Sequence, residues 1–320
     1  MSEHEQPPTM PSPPTVKAGF RSGLGCLVGR PNAGKSTLTN AMVGQKVAIA
    51  SSRPQTTRHA VRGIVHRDDG QLIVIDTPGL HKPRTLLGER LNTVVRDTWS
   101  EVDVVGLCFA SDQTIGPGDE FLMREAAGTR APKFAVATKA DIVSRDRMAQ
   151  HLQGIVDAGR KVGVEFAEVV PVSAVSGDGV ELLASLMLKQ LPEGPPLYPD
   201  GELTDEPDRV LVAELVREAA LEGVRDELPH SIAVEVTEMV PREDRPVDKP
   251  FIDVYVTIYV ERSSQKAIVV GKGGLRLRDV GTNARGSIEA LLGARVFLNL
   301  HVSVLADWQR NPKHLRRLGF

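Results

Sequence analysis

Apolar residues along the chain gather into short runs, and the order of those runs changes once. Up to residue 190, candidate strands lie at residues 24–28, 60–66, 72–75, 102–110, 133–138 and 166–171. Helical patterns lie between or after them, near residues 35–43, 87–99, 118–126, 144–162 and 179–190. Such alternation predicts an α/β domain over residues 21–190, with a mainly parallel sheet and helices on both faces. Ligands of these sheets bind in the crevice beyond the carboxyl ends of the strands.

The run LPEGPPLYPDGELTDEPD, residues 191–208, interrupts this pattern with proline, glycine and acid, and predicts an interdomain linker. The order beyond it is different. A helix near 209–222 and a strand near 231–238 precede the strongly β-forming run FIDVYVTIYVER. A short helix near 264–270, the sequence GKGG, a helix near 274–292 and a strand near 296–304 complete the region. The order α-β-β-α-α-β predicts a smaller α+β domain over 209–320, with a sheet of three strands. At the other end, residues 1–20 hold five prolines within the first fourteen positions and no apolar stretch of signal-peptide length, so a disordered tail is expected.

Bulk composition adds limits. A chain of 320 residues suits two domains, and 41% hydrophobic with 25% charged residues can fill two cores. No run of eighteen apolar residues is present, so no membrane-spanning helix is expected and a cytoplasmic location is the simplest reading. Cys26 and Cys108 sit in apolar runs and read as small core residues rather than a disulfide or metal site. The net charge of −2 is unevenly spread. Residues 191–260 hold 6 basic and 17 acidic side chains, whereas residues 261–320 hold 11 basic and 4 acidic. A basic C-terminal tail of this kind can meet a polyanion, although solvated faces give the same signal.

Four short motifs carry the chemistry. Gly29-Arg30-Pro31-Asn32-Ala33-Gly34-Lys35-Ser36 fits G-x-x-x-x-G-K-[ST], between a candidate strand and a candidate helix whose first turn includes Thr37. Gly29 and Gly34 let the backbone wrap a phosphate, amides at the helix start favour the anion, Lys35 adds charge, and the Ser36 hydroxyl is placed for Mg²⁺. Asp76-Thr77-Pro78-Gly79 follows a strand. Its carboxylate can hold Mg²⁺ through water, and Gly79 lets an amide approach the γ-phosphate. Thr138-Lys139-Ala140-Asp141 follows a later apolar strand. A buried aspartate at 141 would accept from N1 and N2 of guanine and reject adenine, with Lys139 lying along the base. Ser173-Ala174 follows the last strand of this region and offers a backbone amide to guanine O6.

The order GxxxxGKS, DTPG, TKAD, SA resembles the translation-factor-related GTPases, and GRPNAGKST with PQTTRH and DTPGLHKP resembles the bacterial Era GTPases more closely. The likeness runs through nearly all of the chain from Gly25. It implies GTP and GDP as ligands with Mg²⁺, and residues 55–59 as a first switch in which either Thr56 or Thr57 meets the metal. The family pattern has asparagine where this chain has Thr138, whose side chain has no amide to make the bond usual at guanine N7. Leu80 takes the position after Gly79 where many GTPases orient water with glutamine. Asn32 resembles an asparagine that coordinates K⁺ in some relatives. Lys35, Asp76, Gly79 and Asn32 are therefore the expected catalytic set.

Gly271-Lys272-Gly273-Gly274 between two helices is a GxxG loop, the mark of a KH domain that clamps single-stranded RNA. Arg262, Lys266, Arg276, Arg278 and Arg285 can extend the basic track along the phosphates. The element order resembles that of a type II KH domain. The family resemblance implies the 3′ end of small-subunit ribosomal RNA and the 30S subunit as partners, and leaves peripheral contact at the inner membrane face open. Two other readings stand beside this one: a GTPase of tRNA modification or large-subunit assembly, and an RNA chaperone with a mainly structural nucleotide site.

Overall fold

The computed structural model describes residues 17–50, 57–80, 83, 85–224, 228–243, 245–246 and 248–320. The expected N-terminal tail up to residue 16, and Gln55 and Thr56 of the expected switch, lie outside the described residues.

The first region is built from β1 (Arg21–Gly29), α1 (Lys35–Val43), β2 (Val61–Arg67), β3 (Gly70–Asp76), α2 (Leu86–Glu101), β4 (Val104–Ala110), α3 (Pro117–Ala127), β5 (Lys133–Thr138), α4 (Arg145–Val162), β6 (Glu168–Pro171) and α5 (Val180–Leu188). The sheet order is β2-β3-β1-β4-β5-β6. Only β2 runs antiparallel to its neighbour, on the sheet's edge. β3 and β4 are buried at every residue, as strands covered on both faces must be. Alternation along β1 divides the interior. Leu27 joins Leu38, Met42, Leu183 and Met187 under α1 and α5, while Cys26 and Val28 join Val95, Leu122, Met123 and Ile155 under α2, α3 and α4. Both cysteines are buried and unpaired, as composition suggested.

Local chemistry sets the helix starts. The Thr85 hydroxyl accepts from the Gly88 amide at 3.2 Å to open α2, and Ser144 caps α4 in the same way. Pro117 sits in the first turn of α3, where Asp119 reaches back to the Gly116 amide at 3.0 Å.

The second region contains α6 (Asp208–Leu221), α7 (Leu228–Ser231), β7 (Ala233–Pro241), β8 (Phe251–Val260), α8 (Ser263–Val270), α9 (Leu275–Leu292), β9 (Arg295–Val304) and α10 (Pro312–Arg317). The single-turn α7 and the six-residue α10 are too short to show a period and were not expected. The sheet is mixed: β7 and β8 are antiparallel, β8 and β9 parallel. Val254, Val256 and Ile258 of β8 point inward to Val212 and Val216 of α6 and Ile288 of α9. This gives the α/β domain and the smaller α+β domain that the pattern implied.

Residues 191–208 run along the first sheet. The Gln71 side-chain carbonyl accepts from the Leu197 and Tyr198 amides at 2.7 and 2.9 Å, and the Ile64 amide of edge strand β2 donates to Leu203 O at 2.9 Å. The two regions also share an apolar cluster. Leu87 and Leu91 of α2 meet Ala233, Tyr259, Trp308 and Leu315, so the basic C-terminal segment is packed against the first region. Trp308 is fully buried and its indole N–H donates to Ser231 O at 3.0 Å. Removing such a side chain costs about 3–5 kcal/mol.

Candidate nucleotide site and nucleic-acid interface

The phosphate loop turns from β1 into α1 at Gly34, whose φ of 83° is left-handed and open only to glycine at low cost. No side chain caps α1 and its first turn carries no acidic residue, so its leading amides are left for an anion. Lys35 is buried, with Nζ 3.3 Å from Gly29 O and from Arg30 O. Burial lowers its pKa, opposed by Asp76. Gly79 lies against Pro31, so the second motif closes on the first.

Ser36, Thr57 and Asp76 converge. The Ser36 and Thr57 hydroxyls lie 2.6 and 3.1 Å from Asp76 Oδ2, and 2.9 Å from each other. Asp76 is fully buried, and its Oδ1 has no hydrogen-bond partner among the described residues. Burial raises its pKa, against the Lys35 charge and the two hydroxyl bonds. Two hydroxyls and a buried, half-satisfied carboxylate suit a hydrated divalent cation. Thr77 secures this loop by donating to Leu27 O at 2.9 Å.

At the base side, the Ser173 hydroxyl donates to Asp141 Oδ1 at 2.7 Å. Lys139 takes a left-handed φ of 59° and its ammonium rests 3.0 Å from Asp112. Two expectations change here. Asp141 is exposed in this structure rather than buried. The Ser173 amide already donates to Asp178 O at 2.9 Å, which leaves the Ala174 amide as the candidate for O6. Leu80 is buried in the core and presents no polar group to a water. Asn32 is exposed at φ 63°, at the turn of the phosphate loop. Arg30 points away to Asp119 of α3, 3.2 Å distant.

Three supports escaped sequence reasoning. Asp112 braces Lys139, Asp119 holds Arg30, and Asn40 accepts from the Val47 and Ala48 amides at 2.9 and 2.8 Å. Each is an ordinary polar residue whose partner lies elsewhere in the chain; the position of Asp112 just after an apolar strand was the one available signal.

In the second region, Gly271, Gly273 and Gly274 all have positive φ, of 72°, 60° and 78°. A Cβ at Gly271 would meet Arg276 at 2.7 Å. Lys272 in this loop, Arg262 at the start of α8, and Arg278 and Arg285 along α9 are exposed, and Lys266 of α8 is half-buried. Arg276 departs from the expected track. Its guanidinium turns back to Ala220 O and Glu222 O, at 3.3 and 2.7 Å, and staples α9 to the end of α6.

A phosphate loop at a β1–α1 turn, a guanine-type base loop and a glycine-rich loop between α8 and α9 define a GTPase joined to a KH domain. Comparison with known proteins agrees. Residues 25–139 match the family described as 50S ribosome-binding GTPase, and residues 227–309 match the KH domain family. GTPase Era of Streptomyces coelicolor is 63% identical over 98% of this chain and 99% of its own length. GTPase Era of Nocardioides sp. is 62% identical over 94% and 96%. The crystal structure of Era in complex with MgGDPNP and nucleotides 1506–1542 of 16S ribosomal RNA superposes with a TM-score of 0.88 at 36% identity, covering 94% of this chain and 99% of that one. A point variant of Aquifex aeolicus Era bound to GDP·AlF4⁻ gives 0.87 at the same identity and coverage. The chain belongs to the Era GTPase family. Among the described residues, no helix is long and apolar enough to cross a membrane.

Proposed function

We propose that this chain binds GTP and GDP with Mg²⁺, hydrolyses GTP, and binds the 3′ end of small-subunit ribosomal RNA during 30S assembly in the cytoplasm. The observation that carries the nucleotide half is the convergence of Ser36, Thr57 and Asp76 beside buried Lys35. Those three residues would hold Mg²⁺, with Thr57 rather than Thr56 supplying the switch hydroxyl. When bound, the ion neutralises charge gathering on the phosphoryl oxygens. Lys35 meets the outer phosphates, the Gly79 amide faces the γ-phosphate, and the backbone of residues 29–37 cradles the rest. Asp141 and the Ala174 amide read guanine. Water attacks the γ-phosphorus and the bond to the β–γ bridging oxygen breaks. Leu80 offers no group to aim that water; Asn32 would help to hold a K⁺, whose charge would stabilise the phosphoryl oxygens.

The relative captured with 16S RNA supports the RNA half, as does the GKGG loop with its exposed lysine. Coupling is supported by where the second region touches the first. The Ala50 amide donates to Glu218 of α6 at 3.0 Å, and Lys46 pairs with the same carboxylate. On the far side of residues 51–56, Arg58 donates to Ile232 O and lies over the Trp308 ring, while His59 stacks on Phe320 with centroids 4.7 Å apart. Arg90 of α2 donates to Phe320 O. Described residues on both sides of positions 51–56, and Arg90 of α2 beyond the DTPG motif, therefore rest on the KH side.

The test is an equilibrium titration of the purified chain with GTP, ATP and an RNA of the 16S 3′ end. GTP is expected to bind tighter than ATP by at least ~100-fold, and the RNA tighter than the same sequence reversed. Equal affinities for the two triphosphates, or for the two RNAs, would overturn the corresponding half.

A further inference from the structure

Thr138 ends β5 with 3% of its surface exposed. Its hydroxyl lies 2.7 Å from Ala33 O in the phosphate loop and 3.3 Å from Phe109 O in β4. One hydroxyl carries one proton, so the shorter contact takes it. A Cβ built on Gly34 would sit 3.6 Å from both Cβ and Oγ1 of Thr138, which places this side chain beneath the turn into α1. Its carbonyl is also taken, by the amide and the hydroxyl of Ser111. Threonine is stiff about χ1, which favours keeping the hydroxyl in the rotamer that meets the Ala33 carbonyl.

We propose that Thr138 is a positioning residue that ties the base-reading loop to the phosphate loop, and that this chain recognises guanine without a side-chain donor to N7. The proposal rests on the GTPase reading above. An asparagine at this position has two amide protons and could hold the loop and meet N7 together; a threonine has one, and here it faces Ala33. The tie fixes the end of β5 immediately before Lys139, whose left-handed backbone turns the chain toward Asp141. The Ala140 amide donates to Val172 O at 3.0 Å and Ser173 holds Asp141, so the loop is pinned from the β6 side as well. Guanine recognition then falls on its N1, N2 and O6 edge, with the Hoogsteen nitrogen unread.

The experiment compares GDP with 7-deaza-GDP, which differs only in carrying C–H in place of N7, by calorimetry on the full chain with Mg²⁺. The parent is expected to bind the two within about twofold. Thr138→Asn should acquire a preference for GDP of about three- to tenfold, the worth of one hydrogen bond. Thr138→Val should weaken both ligands by the same factor, about fivefold or more, because the buried Ala33 carbonyl loses its partner. Thr138→Ser should restore parental affinity, which a purely volumetric role would not do. A parent that loses tenfold on 7-deaza-GDP has a donor to N7 and overturns the proposal, as does a valine variant that binds both ligands like the parent. If the valine variant does not fold, the ligand ratio in the parent and the Asn and Ser variants decides alone. A parent that binds ADP as tightly as GDP would instead overturn the guanine site itself.

Discussion

The chain holds two glycine-rich loops that present backbone to phosphate, and they solve the problem in opposite ways. In the phosphate loop, Lys35 is 6% exposed, its ammonium is held by two carbonyls, and Ser36, Thr57 and Asp76 close the site around it. In the GKGG loop, Lys272 is exposed and three of the four residues have positive φ, so the loop stands open to a long polymer. A buried cation acts in a low dielectric and gives a few strong contacts to one small ligand. An exposed cation is screened by salt and gives contacts that are individually weak and add along a strand. The same residue types therefore encode a nucleotide pocket or an RNA track according to burial.

The largest expected effect comes from the buried side. Lys35→Ala should weaken GTP by at least ~100-fold in calorimetry while leaving RNA affinity and its salt dependence unchanged. A comparable loss of RNA binding would show that the two loops are not separate devices. Next is the joint between them. Trp308→Ala should lower unfolding stability by about 3–5 kcal/mol in denaturant titration; a loss under about 1 kcal/mol would mean that the cluster of Leu87, Tyr259 and Leu315 adds little. Lys272→Asp should then cost about tenfold in RNA affinity and flatten the log–log salt slope by nearly one unit, with GTP affinity unchanged.

The smallest expected effect concerns pH. Burial holds the His59 pKa below its ordinary 6.5, the nearby Glu214 opposing and Arg217 and Arg58 adding to the depression. A depressed histidine stabilises the folded state fully above its unfolded pKa, and that contribution is lost as pH falls from about 6.5 through the folded value. Melting temperature should accordingly decline from about pH 7.5 to about 5.5, and His59→Phe should decline less. His151 is depressed in the same direction and keeps part of the slope in that variant.

How legible these features were follows from how local they are. The phosphate loop, the DTPG turn and GKGG are contiguous, and their glycines mark them in the chain, so sequence located them. The alternation of strands and helices located the sheets because β3, β4 and the inward face of β8 are buried as periodicity demands. The joint was not legible, because Arg58, Arg90, Ile232, Trp308 and Phe320 are scattered along the chain and α10 has six residues. Arg276 illustrates the same limit: its charge is visible in sequence, but its attachment to the end of α6 is not. The approach of the Thr57 hydroxyl to Asp76 likewise joins residues far apart in the chain and was not legible.

RNA on the KH side and GTP on the other are expected to communicate through the contact of His59, Arg58 and Arg90 with the C-terminal segment. The direct measurement is single-turnover GTP hydrolysis by the full chain, with and without saturating 16S 3′-end RNA, in the parent and in Phe320→Ala. RNA is expected to accelerate hydrolysis in the parent, and the acceleration to be lost in the variant, while its basal rate and RNA affinity stay within about twofold. Undiminished acceleration in Phe320→Ala, or none in the parent, would contradict it.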